Sequence, residues 1–228
     1  MHIGIIPDGN RRYMRKKGIL SLKDSYQRGI KKFYDFLDWC IDLNINEVTA
    51  YALSTENLEN RSKSEIKTLL NLFSKQALSI LNNERIHDNK IHINICGDKD
   101  YLLNTEKKLG NEAIKNLRRL EELTKDYDKL TLNLAIAYGG RQEIINSVKN
   151  VINSGLELNE KNIRKNLWIK SYPEVIIRTA ESRLSNFLVW QSAYSEIYFV
   201  DKLWQEFEKE DLINIIDDYN SRERRFGR

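Results

Sequence analysis

The chain is poor in residues that staple or break a fold. Only two prolines and ten glycines occur in 228 residues, with no low-complexity stretch and no internal repeat. That excludes a flexible linker, and one α/β domain over residues 1–228 is the expectation. The two cysteines, Cys40 and Cys96, stand outside any CxxC or Cys/His cluster. They exclude a disulfide framework and suit reduced thiols in a cytosolic protein. His2, His87 and His92 lack metal-ligand spacing and read as surface or strand residues. No apolar run approaches the ~18 residues of a membrane span. Residues 1–9 have neither the charged head nor the apolar stretch of a secretion signal. A strong charge bias is also missing. The net charge of +4 is spread over interspersed Lys, Arg, Asp and Glu, too mild to argue for nucleic acid.

What is present is ordinary for a globular protein: 41% apolar and 31% charged residues, enough to bury a core without staples. Short apolar runs alternate with longer amphipathic ones. Strands are expected at 3–6, 47–53, 90–96, 130–137 and 175–178. Helices are expected at 24–43, 62–84, 104–124, 141–153 and 210–223. The clearest is 62–84, where Ile66, Leu69, Leu70, Phe73, Ala77, Ile80 and Leu81 form one apolar stripe. Ser62 with Glu65 makes a capping box at its start. Strands separated by helix-length segments imply βαβ units and a mainly parallel sheet flanked by helices. Ligands of such sheets bind at the carboxyl ends of the strands.

Polar segments follow three of those strands. The first is Asp8-Gly9-Asn10-Arg11-Arg12. Glycine and successive N–H groups make an anion nest, and arginine grips phosphate with two prongs. A carboxylate there would repel phosphate unless a cation lay between, so Asp8 implies Mg²⁺. A surface turn with a solvated basic patch is the plainer alternative. The second segment, Ser54-Thr55-Glu56-Asn57, also reads as a helix cap. In the third, Arg178, Arg183 and Ser185 would hold a second diphosphate. Glu196 follows among Trp190, Ile197, Tyr198 and Phe199, and an enclosed acid needs a cation or a hydrogen-bond partner. Two phosphate sites, acids for a metal and no evident nucleophile point to diphosphate as both handle and leaving group.

At this point the chain resembles the cis-prenyltransferases, the undecaprenyl diphosphate synthase family. The resemblance rests on segments in family order: residues 5–13, 51–57, Gly97-Asp98, 133–141, Arg178-Thr179, 183–191, 193–196, Leu203-Trp204 and 222–227. It implies a parallel-sheet fold with an apolar prenyl tunnel, walled by helices 24–43 and 62–84, in a homodimer. It implies condensation of isopentenyl diphosphate with an allylic diphosphate: dimethylallyl, geranyl, farnesyl or geranylgeranyl. Asp8 would bind Mg²⁺, Gly9, Asn10, Arg11 and Arg12 would cradle the allylic diphosphate, and Asn10 would assist proton removal. Arg178, Arg183 and Ser185 would hold isopentenyl diphosphate. Ser54, Glu56 and Asn57 would also contact substrate. Glu196 would serve metal or substrate near the dimer interface, and Arg225 and Gly227 would reach the partner's site. Release of a long product allows peripheral membrane contact.

The chain departs from the family pattern in places. Tyr26 stands where His is usual, and the usual earlier Arg is missing, leaving Lys23 and Arg28 as nearby cations. Arg178-Thr179-Ala180-Glu181 is one residue short and lacks a glycine pair. Pro7 and the stretch 21–26 resemble a smaller branch that makes short or irregular, lavandulyl-type products. Standard elongation remains the primary reading, because Asn10, Ser54, Arg178, Arg183 and Ser185 are all present. A non-catalytic subunit on the same scaffold is a further alternative. An RNA binder using Arg11, Arg12, Arg15, Lys16 and Lys17 is another, although that run reads better as a face flanking the diphosphate site.

Overall fold

Strand β1 (His2–Ile6) is buried along its whole length, as a β-branched run in the middle of a parallel sheet must be. The structure is a computed structural model and describes residues 1–105 and 107–222. After β1 come α1 (Asn10–Lys16), α2 (Leu22–Asp42), β2 (Glu47–Ser54), α3 (Thr55–Asn60), α4 (Lys63–Ile80) and α5 (Glu84–Asp88). Then follow β3 (Ile91–Cys96), α6 (Lys99–Thr105), α7 (Lys107–Thr124), β4 (Leu130–Tyr138), α8 (Gly140–Asn153) and α9 (Glu160–Asn166). The chain continues through β5 (Val175–Thr179), β6 (Glu196–Val200) and α10 (Lys209–Ser221).

The sheet has order β3-β4-β2-β1-β5-β6, and all five strand pairings among the described residues are parallel. Ile3 lies in register with Val48 on one side and Val175 on the other. The chain leaves β1 toward β2 and later returns past β1 to form β5. That reversal opens a crevice at the carboxyl ends of the strands beside β1. All loops after the strands therefore share one edge of the sheet.

Local chemistry starts and stops the helices. Ser21 caps α2 by accepting the Asp24 N–H, and Ser62 caps α4 by accepting the Glu65 N–H. The capping box expected at Ser62 is only half made, because the Glu65 carboxylate turns to Tyr26 and Arg61. Residues 62–84 do not form one helix. α4 ends at Ile80, and Asn83 caps a new turn, α5, through the Arg85 N–H. Residues 104–124 likewise divide between α6 and α7. The elements α1, α3, α9 and β6, with all of α5 but its first residue and all of α6 but its last two, lie outside the sequence expectations. β6 hides among aromatics because Ile197 and Phe199 are exposed on an edge strand.

The main core packs α2, α4 and α7 against the sheet, with Phe36, Leu37, Leu70 and Leu120 almost fully buried. Losing a ring such as Phe36 would cost about 3–5 kcal/mol. Trp204 packs edge-on against Phe36, 5.7 Å between centroids, and donates its indole N–H to the Gly29 carbonyl. This holds the start of α2 against the loop after β6, next to the end of β1.

Candidate active site

Asp8 follows β1 directly, and its backbone is tied into the edge of the sheet. Its N–H donates to Thr179 Oγ1 at 2.9 Å, and its carbonyl accepts the Thr179 hydroxyl at 2.8 Å. The carboxylate is held at both oxygens. Oδ1 accepts the Gly9 N–H at 2.6 Å, and Oδ2 accepts Arg178 Nη2 at 2.8 Å. Gly9 has φ 107°, and a Cβ there would lie 2.9 Å from Leu203 Cδ2, so this sharp turn requires glycine.

Arg178 is the penultimate residue of β5 and is almost fully buried. Besides Asp8 it donates to Ser185 Oγ at 2.7 Å and to the Arg183 carbonyl. Its Nε is buried without a partner. Arg12 donates to the Ala180 carbonyl at 2.7 Å and pairs with Glu181 at 3.0 Å. Arg183 also pairs with Glu181, at 2.7 Å, and is the most exposed of these cations. Ala180, Ser185, Asn186 and Leu188 all have positive φ, from 46° to 66°. Such backbone costs roughly 1 kcal/mol per non-glycine residue, so packing around this loop over-determines it.

Asn10 opens α1. Its Oδ1 accepts Gln205 Nε2 at 2.6 Å, and its Nδ2 donates to the Pro7 carbonyl at 3.3 Å. A Cβ on Gly29 would stand 2.6 Å from Asn10 Oδ1, so Gly29 makes room for this amide. Beyond β2, the Ser54 hydroxyl accepts the Asn57 N–H at 3.0 Å. It is therefore the helix cap that the sequence suggests, and it also faces the site. Burial pushes the Glu56 carboxyl up, but hydrogen bonds from its own N–H, Asn186, Ser54 and Thr55 outweigh this and hold it below the usual carboxylate range.

These groups surround one cavity of about 1180 Å³. Asp8, Gly9, Asn10, Arg11 and Arg12 line it from the end of β1. Ser54, Glu56 and Asn57 line it from β2 and α3, and Arg178, Arg183 and Ser185 from β5 onward. Every one of those sequence candidates is thus brought to one opening. Below it the wall turns apolar: Phe33 and Leu37 of α2, Leu72, Phe73 and Ala77 of α4, and Leu132 and Leu134 of β4. The helices expected to wall an apolar tunnel do so, with α7 adding Leu117 and Leu120. The volume exceeds the roughly 300–1,000 Å³ of an ordinary small-molecule pocket.

The prenyltransferase family profile, described by undecaprenyl diphosphate synthase, matches residues 6–227. The chain belongs to the cis-prenyltransferase family. It is 44% identical to a tritrans,polycis-undecaprenyl-diphosphate synthase (geranylgeranyl-diphosphate specific) of Methanopyrus kandleri, covering 100% of this chain and 84% of that protein. Its fold matches a probable undecaprenyl diphosphate synthase of Campylobacter jejuni with a TM-score of 0.82 and 34% identity, over 100% and 98% of the two chains. It also matches lavandulyl diphosphate synthase of Lavandula x intermedia, in complex with dimethylallyl diphosphate, with a TM-score of 0.88, 28% identity and the same coverage.

Within this cis-prenyltransferase the departures acquire places. Lys23 and Arg28 do not line the cavity; Arg61 does. Its Nη1 donates to the Tyr26 hydroxyl at 3.0 Å, and Tyr26 donates to Glu65 at 2.7 Å. The cation beside Tyr26 on the cavity wall is thus Arg61, from the turn before α4. Glu196 starts β6 in register with Val175, level with Ile3 and so at the opposite end of the sheet from Asp8. Its carboxylate accepts the Tyr198 hydroxyl and pairs with Arg222 at 3.4 Å. Within one chain Glu196 and Asp8 are not brought together. Arg225 and Gly227 lie outside the described residues. Arg61, Arg141, Gln142 and Asn186 line the cavity without having been singled out. Asn186, beside Ser185, and Arg141, at the end of residues 133–141, lie in matched segments, whereas Arg61 and Gln142 carried no signal.

Proposed function

We propose that this enzyme condenses isopentenyl diphosphate with an allylic prenyl diphosphate to give a cis-polyprenyl diphosphate. One observation carries the reading: an anion-binding opening runs without interruption into a deep apolar cavity. A prenyl diphosphate has this same polarity, a charged head on a long apolar tail. The allylic carbon–oxygen bond breaks as the isopentenyl double bond forms the new carbon–carbon bond, and a proton leaves the isopentenyl unit. Pyrophosphate is the leaving group.

The chain's own residues supply charge and position. Gly9, Arg11 and Arg12 take the allylic diphosphate at the start of α1. Arg178, Arg183 and Ser185 hold the isopentenyl diphosphate beside it. Holding both partners in one cavity makes the encounter effectively unimolecular, and the guanidiniums stabilise charge that grows on the departing diphosphate. Asn10, its amide fixed by Gln205, assists removal of the proton from the isopentenyl unit.

The donor set at Asp8 suits Mg²⁺. This ion is commonly held by one or two carboxylates plus substrate phosphates, and Asp8 is a half-exposed carboxylate facing the cavity, oriented by Gly9 and Arg178. Bound there, Mg²⁺ would neutralise diphosphate charge. The exposed apolar residues of edge strand β6, Ile197 and Phe199, support a second copy of the chain packing on it, with Glu196 on the same edge. Among the described residues no helix is long and apolar enough to cross a membrane. We assign the enzyme to the cytoplasm, with peripheral membrane contact for release of long products.

The test is incorporation of labelled isopentenyl diphosphate with dimethylallyl, geranyl, farnesyl and geranylgeranyl diphosphates plus Mg²⁺. The Methanopyrus relative's name makes geranylgeranyl diphosphate the first partner to try. No incorporation with any partner sinks the proposal. Irregular, lavandulyl-type coupling is the second reading, supported by the TM-score of 0.88 to a lavandulyl diphosphate synthase. Mass spectrometry of the product separates the two.

A further inference from the structure

Asn186 lies in the loop after β5 and bonds to the segments that follow β2 and β4. Its backbone has φ 64°, a left-handed conformation that asparagine tolerates better than most residues. Nδ2 donates to Glu56 Oε1 at 2.7 Å, beyond β2, and to Gln142 Oε1 at 3.1 Å, beyond β4. Oδ1 accepts the Arg141 N–H at 2.9 Å, and the Asn186 carbonyl accepts the Gly140 N–H at 2.7 Å. Its neighbour Ser185 is the residue that Arg178 grips.

A second observation shows that space is kept for this junction. A Cβ on Gly139 would lie 2.8 Å from Asn186 Nδ2, 2.9 Å from Thr55 Oγ1, and nearer still to Gln142 Oε1. On Gly140 a Cβ would lie 3.0 Å from the Asn186 carbonyl oxygen. The glycine pair after β4 therefore admits the amide network.

We infer that Asn186 is a positioning residue for the isopentenyl diphosphate subsite, fixing the loop of Arg183 and Ser185 against Glu56 and the β4 loop. The inference rests on the reading that Arg183 and Ser185 hold that diphosphate. Asn186 makes no bond to residues 8–12 and reaches Asp8 only indirectly, through Ser185 and Arg178. The two subsites should thus respond differently to its loss.

Asn186→Gly keeps the positive φ and removes the amide. It should raise KM for isopentenyl diphosphate by about tenfold or more, the scale of one hydrogen bond to a charged group. KM for the allylic diphosphate should stay within about twofold of wild type. Asn186→Asp, which keeps the side-chain shape, places a carboxylate against Glu56 and should raise the isopentenyl KM as well. An isopentenyl KM unmoved in both single variants overturns the inference, as does an equal rise in both KM values. A wild-type enzyme that incorporates no isopentenyl diphosphate would defeat the functional reading itself, and this inference with it. Active wild type with unmoved variants defeats only the role of Asn186.

Discussion

Arg178 Nη2 donates to Asp8 Oδ2 at 2.8 Å, joining the ends of β5 and β1 across 170 residues of chain. The pair is asymmetric. The guanidinium side chain is 5% exposed and the carboxylate 37% exposed, so the cation is the more enclosed partner and the acid the more open one on the cavity wall. Arg178 thus orients Asp8 while its other nitrogen holds Ser185.

Asp8→Ala should lower turnover by at least about 10²–10³-fold, the scale of removing one preorganised electrostatic group. It also leaves a buried guanidinium without its carboxylate. A fully buried pair broken in this way costs ~3–5 kcal/mol, and the exposure of Asp8 reduces this to about 1–2 kcal/mol. The protein should stay folded with a modestly lower Tm. Wild-type turnover in this variant would remove the proposed role of Asp8.

Ala77 lines the deep part of the cavity and is almost fully buried. It lies twelve residues after Glu65 in the sequence, about 18 Å along the helix at 1.5 Å per residue. Ala77→Phe should fill this space at an overpacking cost of ~1–3 kcal/mol. The first condensation should proceed, and the longest product should shorten. Mass spectrometry of exhaustively extended product is the measurement, and an unchanged longest product would contradict the placement of the chain.

Tyr26 is held far on the neutral side at any working pH, because burial raises its phenol well above the ordinary value. Tyr26→Phe removes the acceptor for Arg61 and the donor to Glu65. Catalytic efficiency should fall roughly tenfold, the scale of losing a charge-assisted hydrogen bond. Tyr26→His introduces a group that titrates near pH ~6.5. Its pH–activity profile should gain a step near neutrality. A profile that superimposes on wild type would show that this position does not communicate with the site.

Glu143 is fully buried and accepts from Tyr138, Gln191 and the Ile169 N–H. Burial raises its carboxyl above the usual value, and those donors offset the rise only in part. The native state therefore binds the proton more tightly than the unfolded chain. The resulting stability is full below the unfolded value and is lost as pH rises through the folded one. Relative to Glu143→Gln, the wild type should lose stability from about pH 4 upward. Urea midpoints across pH 4–8 report this, and a difference independent of pH would refute it.

The parts legible in the sequence were local. The 3-4 spacing of Leu69, Leu70 and Phe73 marked the apolar face of α4, and Ser54 and Ser62 marked helix starts by their capping chemistry. α1 and α3 are too short for a periodic stripe. β6 alternates half-buried and exposed positions, and apolar Ile197 and Phe199 occupy the exposed ones, so no apolar–polar alternation marks it. The break before α5 depends on one asparagine cap, which a continuing stripe masks.

The sequence by itself determined that polar segments follow apolar strands, and that amphipathic helices lie between them. Those are short-range properties, set by turn chemistry and by side-chain period. Only the tertiary structure decided that β1 and β5 are neighbours, so that Asp8 meets Arg178. It alone put Glu196 at the far end of the sheet and Asn186 at the meeting of three loops. Strand order and register are long-range choices, made by the packing of whole faces, and no local periodicity encodes them.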